Sequence, residues 1–144
     1  MAESGVASVS SAAMLQTLLA QIGPRWVQDI RAHSQQVKDA YAPLLRAAPA
    51  SGALIERDVP YGPDPRQVLD LFRPRAGLTG ASAPVAVFVH GGAFVRGEKC
   101  TTGEIYDNVM HWFVRQGWLA ANMEYRLAPE APFPAAVEDA YAAV

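Results

Sequence analysis

Gly91, Gly92 and Ala93 follow an apolar, β-branched run at 85–89 and a single histidine, His90. Two glycines at that stop leave the backbone bare. Bare backbone lets main-chain N–H groups come close to a negatively charged oxygen. In acyl transfer that oxygen is the carbonyl oxygen of the tetrahedral intermediate, and each preorganised donor aimed at it lowers the barrier by about 3 kcal/mol. The tripeptide alone fits a plain turn after a strand equally well, so the remaining chemistry decides. A nucleophile and a base are needed, and the local candidates are weak. His33 and His111 fall on predicted helices, where a satisfied or exposed imidazole is the ordinary reading. Cys100 precedes a predicted helix start at Thr101, a position that lowers a thiol pKa. No histidine is placed by sequence as its base, and an incidental thiol is the simpler reading. No His, Asp or Glu pair has ligand spacing on a shared face, so neither a metal nor a cofactor is expected.

The elements around 91–93 can be read from periodicity. Residues 1–12 are small and polar and predict a loose arm. From Ala13, Met14, Leu15, Leu18, Leu19 and Ile22 share a helical face that Gly23-Pro24 interrupts. Trp26, Ile30, Val37, Tyr41, Leu44 and Leu45 predict a second amphipathic helix, so 13–48 is a helical segment. It either packs on the main domain or caps a site. From 54 the period changes to two. Residues 54–61 and 68–72 predict an antiparallel pair joined through Gly62-Pro63-Asp64-Pro65, followed by a small-residue loop at 77–84. The nearly unbroken apolar run at 85–89 predicts a strand covered on both faces, as in a parallel sheet between helices. Thr101 and Glu104 have capping-box spacing ahead of a helix through Ile105, Val109, Trp112 and Phe113 that Gly117 ends. A strand at 118–123 completes a strand–helix–strand crossover. Pro132-Phe133-Pro134 then opens a helix with Val137, Ala140, Tyr141 and Val144 on one stripe.

Composition narrows the class. With 144 residues, 51% of them hydrophobic, and a net charge of −2, the chain is globular, and scattered Lys and Arg argue against a nucleic-acid partner. One cysteine excludes a disulfide within the chain. No apolar run approaches membrane-spanning length, and a cytoplasmic location is expected.

A second motif gives the first its meaning. Glu124-Tyr125-Arg126-Leu127-Ala128-Pro129-Glu130 follows a predicted strand, and Phe133-Pro134-Ala135-Ala136-Val137-Glu138-Asp139 comes soon after. With His90-Gly91-Gly92, in this order, these blocks resemble the α/β-hydrolase superfamily, in particular the esterase branch related to hormone-sensitive lipase. The resemblance covers 54–144 and is much weaker before it. It implies an α/β fold, a mostly parallel sheet flanked by helices, with only the first four strands in this chain. It implies that Gly91 and Gly92 are oxyanion-hole donors through their backbone N–H groups. Ala93 stands where a third glycine is usual, keeping the N–H and adding a methyl that narrows the acyl pocket. By the same resemblance His90 is structural, Arg126, Glu130 and Asp139 fix loops, and Glu124 replaces a common aspartate.

The superfamily's nucleophile sits in Gly-x-Ser-x-Gly on a strand-to-helix turn. None of Ser4, Ser8, Ser10, Ser11, Ser34, Ser51 and Ser82 has that context. In family order the serine, the acid and the catalytic histidine come after residue 144. The expected function is the N-terminal portion of a serine carboxylesterase that takes a small acyl ester, inactive as this chain alone. An aryl-formamide or amide hydrolase of the same fold and a non-catalytic fragment are the alternatives. In the family's strand order the strand at 85–89 would pair with a fifth strand. Left at an edge it predicts poor solubility or self-association.

Overall fold

The computed structural model describes residues 3–49, 51–75 and 83–144, with side chains from residue 13 onward. The chain divides into two compact units, Met1–Ala48 and Pro49–Val144. The first is helical. Helix α1 runs Glu3–Ile22, a 3-10 segment follows at Gly23–Gln28, and α2 runs Ile30–Arg46. α1 begins ten residues before Ala13, where a loose arm was expected at 1–12. The Asp29 carboxylate accepts the Ala32 N–H at 2.9 Å and starts α2. Ile22 and Ala42 are buried, and His33 is buried with Nδ1 3.2 Å from the Trp26 carbonyl.

The second unit is built on a four-stranded sheet. Strands β1 (Leu54–Pro60), β2 (Val68–Arg73), β3 (Val85–Val89) and β4 (Leu119–Met123) lie in the order β1-β2-β4-β3. β1/β2 and β2/β4 are antiparallel; β3/β4 is parallel, in register from Val85↔Leu119 to Val89↔Met123. Successive β4 residues face opposite sides, as the two-residue period requires. Ala120 joins Phe72, Met110 and Val114 on the side of helix α3 (Asp107–Arg115). Ala121 and Met123 join Leu69 and Tyr125 on the side of α4 (Ala135–Ala142). Full burial of side chains such as Phe72, Met110 and Met123 contributes about 1.5–3 kcal/mol each. The β1/β2 register shifts between Glu56 and Val59, with Asp58 at φ 54°. That bulge turns Arg57 and Asp58 towards the fully buried Asp70, which accepts the Asp58 N–H at 2.9 Å.

β3 is the edge strand, as expected: Val87 packs into the core on the α4 side and Phe88 into that on the α3 side, while its ends, Val85 at 55% and Val89 at 44%, are exposed. Two expectations are corrected. α3 begins at Asp107, not at Thr101, because 101–106 is spent in turns, where Thr102 Oγ1 accepts the Ile105 N–H at 3.2 Å. Of the stripe Val137, Ala140, Tyr141 and Val144, only Ala140 packs inward; the other three are exposed, and Ala136, Ala140 and Ala143 make the packed face. The small-residue loop at 77–84 lies, except for its last two residues, outside the described residues. α3 closes as read at Gly117: the Gly117 N–H reaches the Val114 carbonyl at 2.9 Å and the Trp118 N–H reaches that of Phe113 at 3.1 Å.

Candidate oxyanion site

β3 delivers the chain to His90, which is 2% exposed, and the backbone then curls. The Gly92 carbonyl accepts N–H groups from Val95 and Arg96, both at 3.2 Å. Gly92, Ala93 and Phe94 have φ of 139°, 56° and 61°, three residues in succession at positive φ. A Cβ on Gly92 would lie 1.7 Å from the Arg96 carbonyl oxygen, so this turn admits only glycine there. Among the described residues, no backbone carbonyl or side chain accepts the N–H of Gly91, Gly92 or Ala93. These are the donors the sequence singled out, and the structure places them on one short loop. The Ala93 methyl is tolerated at a φ that L residues disfavour by about 1–2 kcal/mol.

The loop is fastened from below by β4 and its continuation. His90 Nε2 lies 2.7 Å from Glu124 Oε1, and its Nδ1 2.9 Å from the Gly91 carbonyl oxygen. The Tyr125 hydroxyl donates to the His90 carbonyl at 2.8 Å, and its ring stacks on the imidazole at 4.3 Å. The Ala128 N–H donates to the Phe94 carbonyl at 2.8 Å. Glu124, which stands where the resembled family commonly has aspartate, therefore pairs with His90.

Three residues of this frame were not singled out from sequence. Arg66, between β1 and β2, donates to the Tyr125 carbonyl at 2.7 Å, to Glu124 Oε1 at 2.6 Å and to the Gly97 carbonyl at 3.0 Å. Gly97 packs so closely that a Cβ would sit 2.4 Å from the Gly91 oxygen and 2.7 Å from His90 Nδ1. Lys99 Nζ bridges Asp70 at 2.7 Å and Asp58 at 2.9 Å, while its backbone carbonyl takes a very short bond from Asn122 Nδ2. A glycine six residues after Gly91 was the one available signal; a scattered Arg and Lys carry none.

Charge is matched throughout this end of the sheet. Burial works to raise the Asp70 carboxyl, but Lys99, the Asp58 N–H and Arg57 hold it below the ordinary carboxylate range. Burial likewise works to lower Lys99, and Asp70 and Asp58 outweigh it. Arg57 bonds both Asp107 and Asp70, and those carboxylates raise its pKa. Burial pushes the Tyr61 phenol up, and its hydroxyl donates to the Glu124 carbonyl at 2.6 Å.

The loop-fixing reading of Arg126 and Asp139 agrees with the contacts. Asp139, fully buried, accepts the Arg126 N–H at 2.7 Å, its guanidinium at 2.7 Å and Gln67 Nε2 at 2.7 Å. Glu130 is exposed, away from that pair. Cys100 is corrected: with no helix start beside it, burial and then Asp107 raise its thiol pKa. His111 Nδ1 lies 2.7 Å from Ser51 Oγ, which itself accepts the Ala53 N–H at 3.1 Å, a tie between the segment before β1 and α3. Among the described residues no group of three His, Cys, Asp or Glu could hold a metal ion. No helix among them is long and apolar enough to cross a membrane.

The BD-FAE family model matches residues 69–144. Esterase LipC of Mycobacterium tuberculosis is 36% identical over 105 residues, which cover 69% of this chain and 25% of that protein. Probable carboxylesterase 5 of Arabidopsis thaliana is 32% identical over 95 residues, 63% of this chain and 29% of that one. The chain thus spans between a quarter and a third of the length of these relatives. Esterase B from Lactobacillus rhamnosis shares the fold, with a TM-score of 0.56 at 24% identity over 91% of this chain and 38% of that one.

Proposed function

We propose, from the premise that this chain belongs to the BD-FAE family of α/β-hydrolases, that it supplies the oxyanion-hole half of a carboxylic-ester hydrolase. The N–H groups of Gly91, Gly92 and Ala93 hold the oxyanion formed when a small acyl ester is attacked. The attacking serine, with its acid and histidine, comes from outside these 144 residues. The observation that carries this reading is that the N–H groups of Gly91, Gly92 and Ala93 have no acceptor among the described residues, on a loop held in place by the contacts of His90, Tyr125 and Ala128. Donors already fixed in direction need no reorganisation as charge develops, which is what makes them effective. The single cysteine supports a cytoplasmic setting as part of the same reading.

A second copy of the chain at the open side of β3 belongs to this proposal. β3 is paired on one side only, and its two terminal valines are exposed.

The test uses the 15N-labelled chain and an alkylphosphonate anion, a tetrahedral mimic of the intermediate. Amide shifts confined to Gly91, Gly92 and Ala93 are expected; shifts elsewhere, or none, overturn the assignment. The chain alone is expected to leave a chromogenic acetate ester intact. Turnover that Cys100→Ser abolishes would place the chemistry on that thiol instead.

A further inference from the structure

We propose that Ser51 is a second reactive site, a nucleophile that takes an acyl group from an activated ester with His111 as its base. The pair lies apart from the loop at 91–93. Leu54, at the start of β1, pairs with Arg73, and Phe72 pairs with Ala120 near the start of β4. Ser51 comes just before that end of β1, beside the amino end of β4. The glycine loop leaves the carboxyl end of β3, which runs parallel to β4. The two sites are therefore at opposite ends of the sheet, and the oxyanion reading uses neither Ser51 nor His111.

Ser51 Oγ and His111 Nδ1 are 2.7 Å apart. Two observations fix the direction of that bond. Oγ accepts the Ala53 N–H at 3.1 Å, and the hydroxyl has no other acceptor among the described residues. Its proton therefore goes to Nδ1, and the ring carries its own hydrogen on Nε2. A serine hydroxyl donating to a neutral imidazole is the arrangement that activates it for attack. The fully buried Phe72 meets the imidazole edge-on, with ring centroids 5.3 Å apart at 89°, and so fixes the plane of the base. Burial also keeps His111 below its ordinary pKa, which leaves it neutral and able to accept a proton at neutral pH.

The residue after the serine leaves room for an acyl group. Gly52 holds φ 67°, and a Cβ there would meet no atom within 4 Å. Its N–H has no acceptor among the described residues, so it is a donor for the oxygen of a carbonyl attacked by Ser51. Ser51 is half-buried and Gly52 exposed, so an ester reaches both from solvent. In the step, Oγ bonds to the acyl carbon and its proton passes to His111 Nδ1. The bond from that carbon to the leaving oxygen breaks, and the leaving group departs with the electron pair and takes the proton from His111. A phenolate leaving group makes this feasible for an unassisted ester. Each chain takes one acyl group and does not turn over, so excess ester stays intact.

The test is mass spectrometry of the 144-residue chain during exposure to p-nitrophenyl acetate at neutral pH, with acetylation followed residue by residue. Ser51 is expected to be acetylated about a hundredfold faster than Ser34 of α2, the contribution of a positioned base. His111→Gln is expected to slow Ser51 about a hundredfold and leave Ser34 unchanged. Hydroxylamine, which cleaves esters and spares lysine amides, is expected to remove the acetyl group, and Cys100→Ser to leave it in place. Ser51 labelled no faster than Ser34 in the parent chain overturns the proposal, and that measurement decides even if a variant fails to fold. So does an unchanged Ser51 rate in a folded His111→Gln chain. A Ser51 acetyl that Cys100→Ser abolishes assigns the first attack to the thiol and overturns it as well.

Discussion

At the carboxyl end of β4 the chain buries charge, while on β3 and the outer face of α4 it exposes hydrocarbon. Asp70 and Asp139 are fully buried and His90 and Asp107 are 2% exposed, yet Phe133 and Tyr141 are 88% exposed and Val137 59%. The ordinary distribution runs the other way. The two regions differ in where their partners come from. Each buried charge meets a counter-charge from another element of the same unit: Arg57 from β1, Arg66 from the β1–β2 connection, Lys99 from the loop after β3. The buried carboxylates at the polar end of the sheet are therefore paired within the unit, while Asn122 Oδ1 beside them is buried without a hydrogen-bond partner. The valines of β3 and the outer stripe of α4 have no such cover among the described residues.

The most direct way to break the polar side is Asp70→Ala. It leaves Arg57 with Asp107 alone and Lys99 with Asp58 alone. Losing charged hydrogen bonds of this kind costs about 1.5–3 kcal/mol, a large part of a small domain's stability. The urea midpoint of the variant should fall accordingly. A loss within about 0.5 kcal/mol, the range of an ordinary surface substitution, would show that the cluster contributes nothing net.

Acid tests the same side without a mutation. Asp70 and Asp139 both titrate below the carboxylate value of 3.8 in the folded chain. The unfolded state then binds more protons in the window beneath 3.8, so stability falls as pH drops there. The contribution is fully present above that value. His111 adds a smaller slope at higher pH. Its pKa is lowered by burial from 6.5, so the unfolded state is again the better proton acceptor and stability declines as pH falls below 6.5. Urea midpoints measured across this range should be flat above neutrality, slope gently below 6.5 and drop beneath 3.8. Replacing His111 by Gln should remove only the gentle part.

The contrast also explains what could be read from the residues alone. Strand positions follow from local pattern and the loop at 91–93 from the two motif blocks, whose residues sit at strand ends, while the β1-β2-β4-β3 order is the one that the family resemblance implied. The frame around the loop does not. Arg66 reaches Glu124 across 58 residues and Lys99 reaches Asp70 across 29, and no spacing rule encodes such a pairing. The stripe on α4 failed for a related reason. Helical period finds two candidate faces there, and the small one, Ala136, Ala140 and Ala143, fits against the sheet while the bulky one does not. The capping spacing at Thr101 and Glu104 found a hydrogen-bonded turn one residue on, at Thr102, rather than the helix start.

The apolar side is sharpened by charge. Val85→Lys and Val89→Lys place an ammonium on exposed ends of β3 and make the edge a poor template. Sedimentation velocity should show a concentration-dependent species in the parent chain that the double variant loses. If Tyr141→Lys abolishes it and the β3 variant does not, the self-association belongs to α4 instead.

The smallest expected effect lies where the two regions meet, at Ala93. The residue holds φ 56° directly before Phe94 at 61°, a strained pair on the loop that links the apolar β3 to the polar frame. Ala93→Gly relieves about 1 kcal/mol of left-handed strain but loosens the unfolded chain by about 0.4–1 kcal/mol. The net change should be a gain smaller than about 1 kcal/mol, visible as a slight rise in Tm. The N–H remains, so the phosphonate-induced shifts at 91–93 should persist in the variant. A clear loss of stability would mean that the Ala93 methyl packs against a partner worth more than the strain it costs.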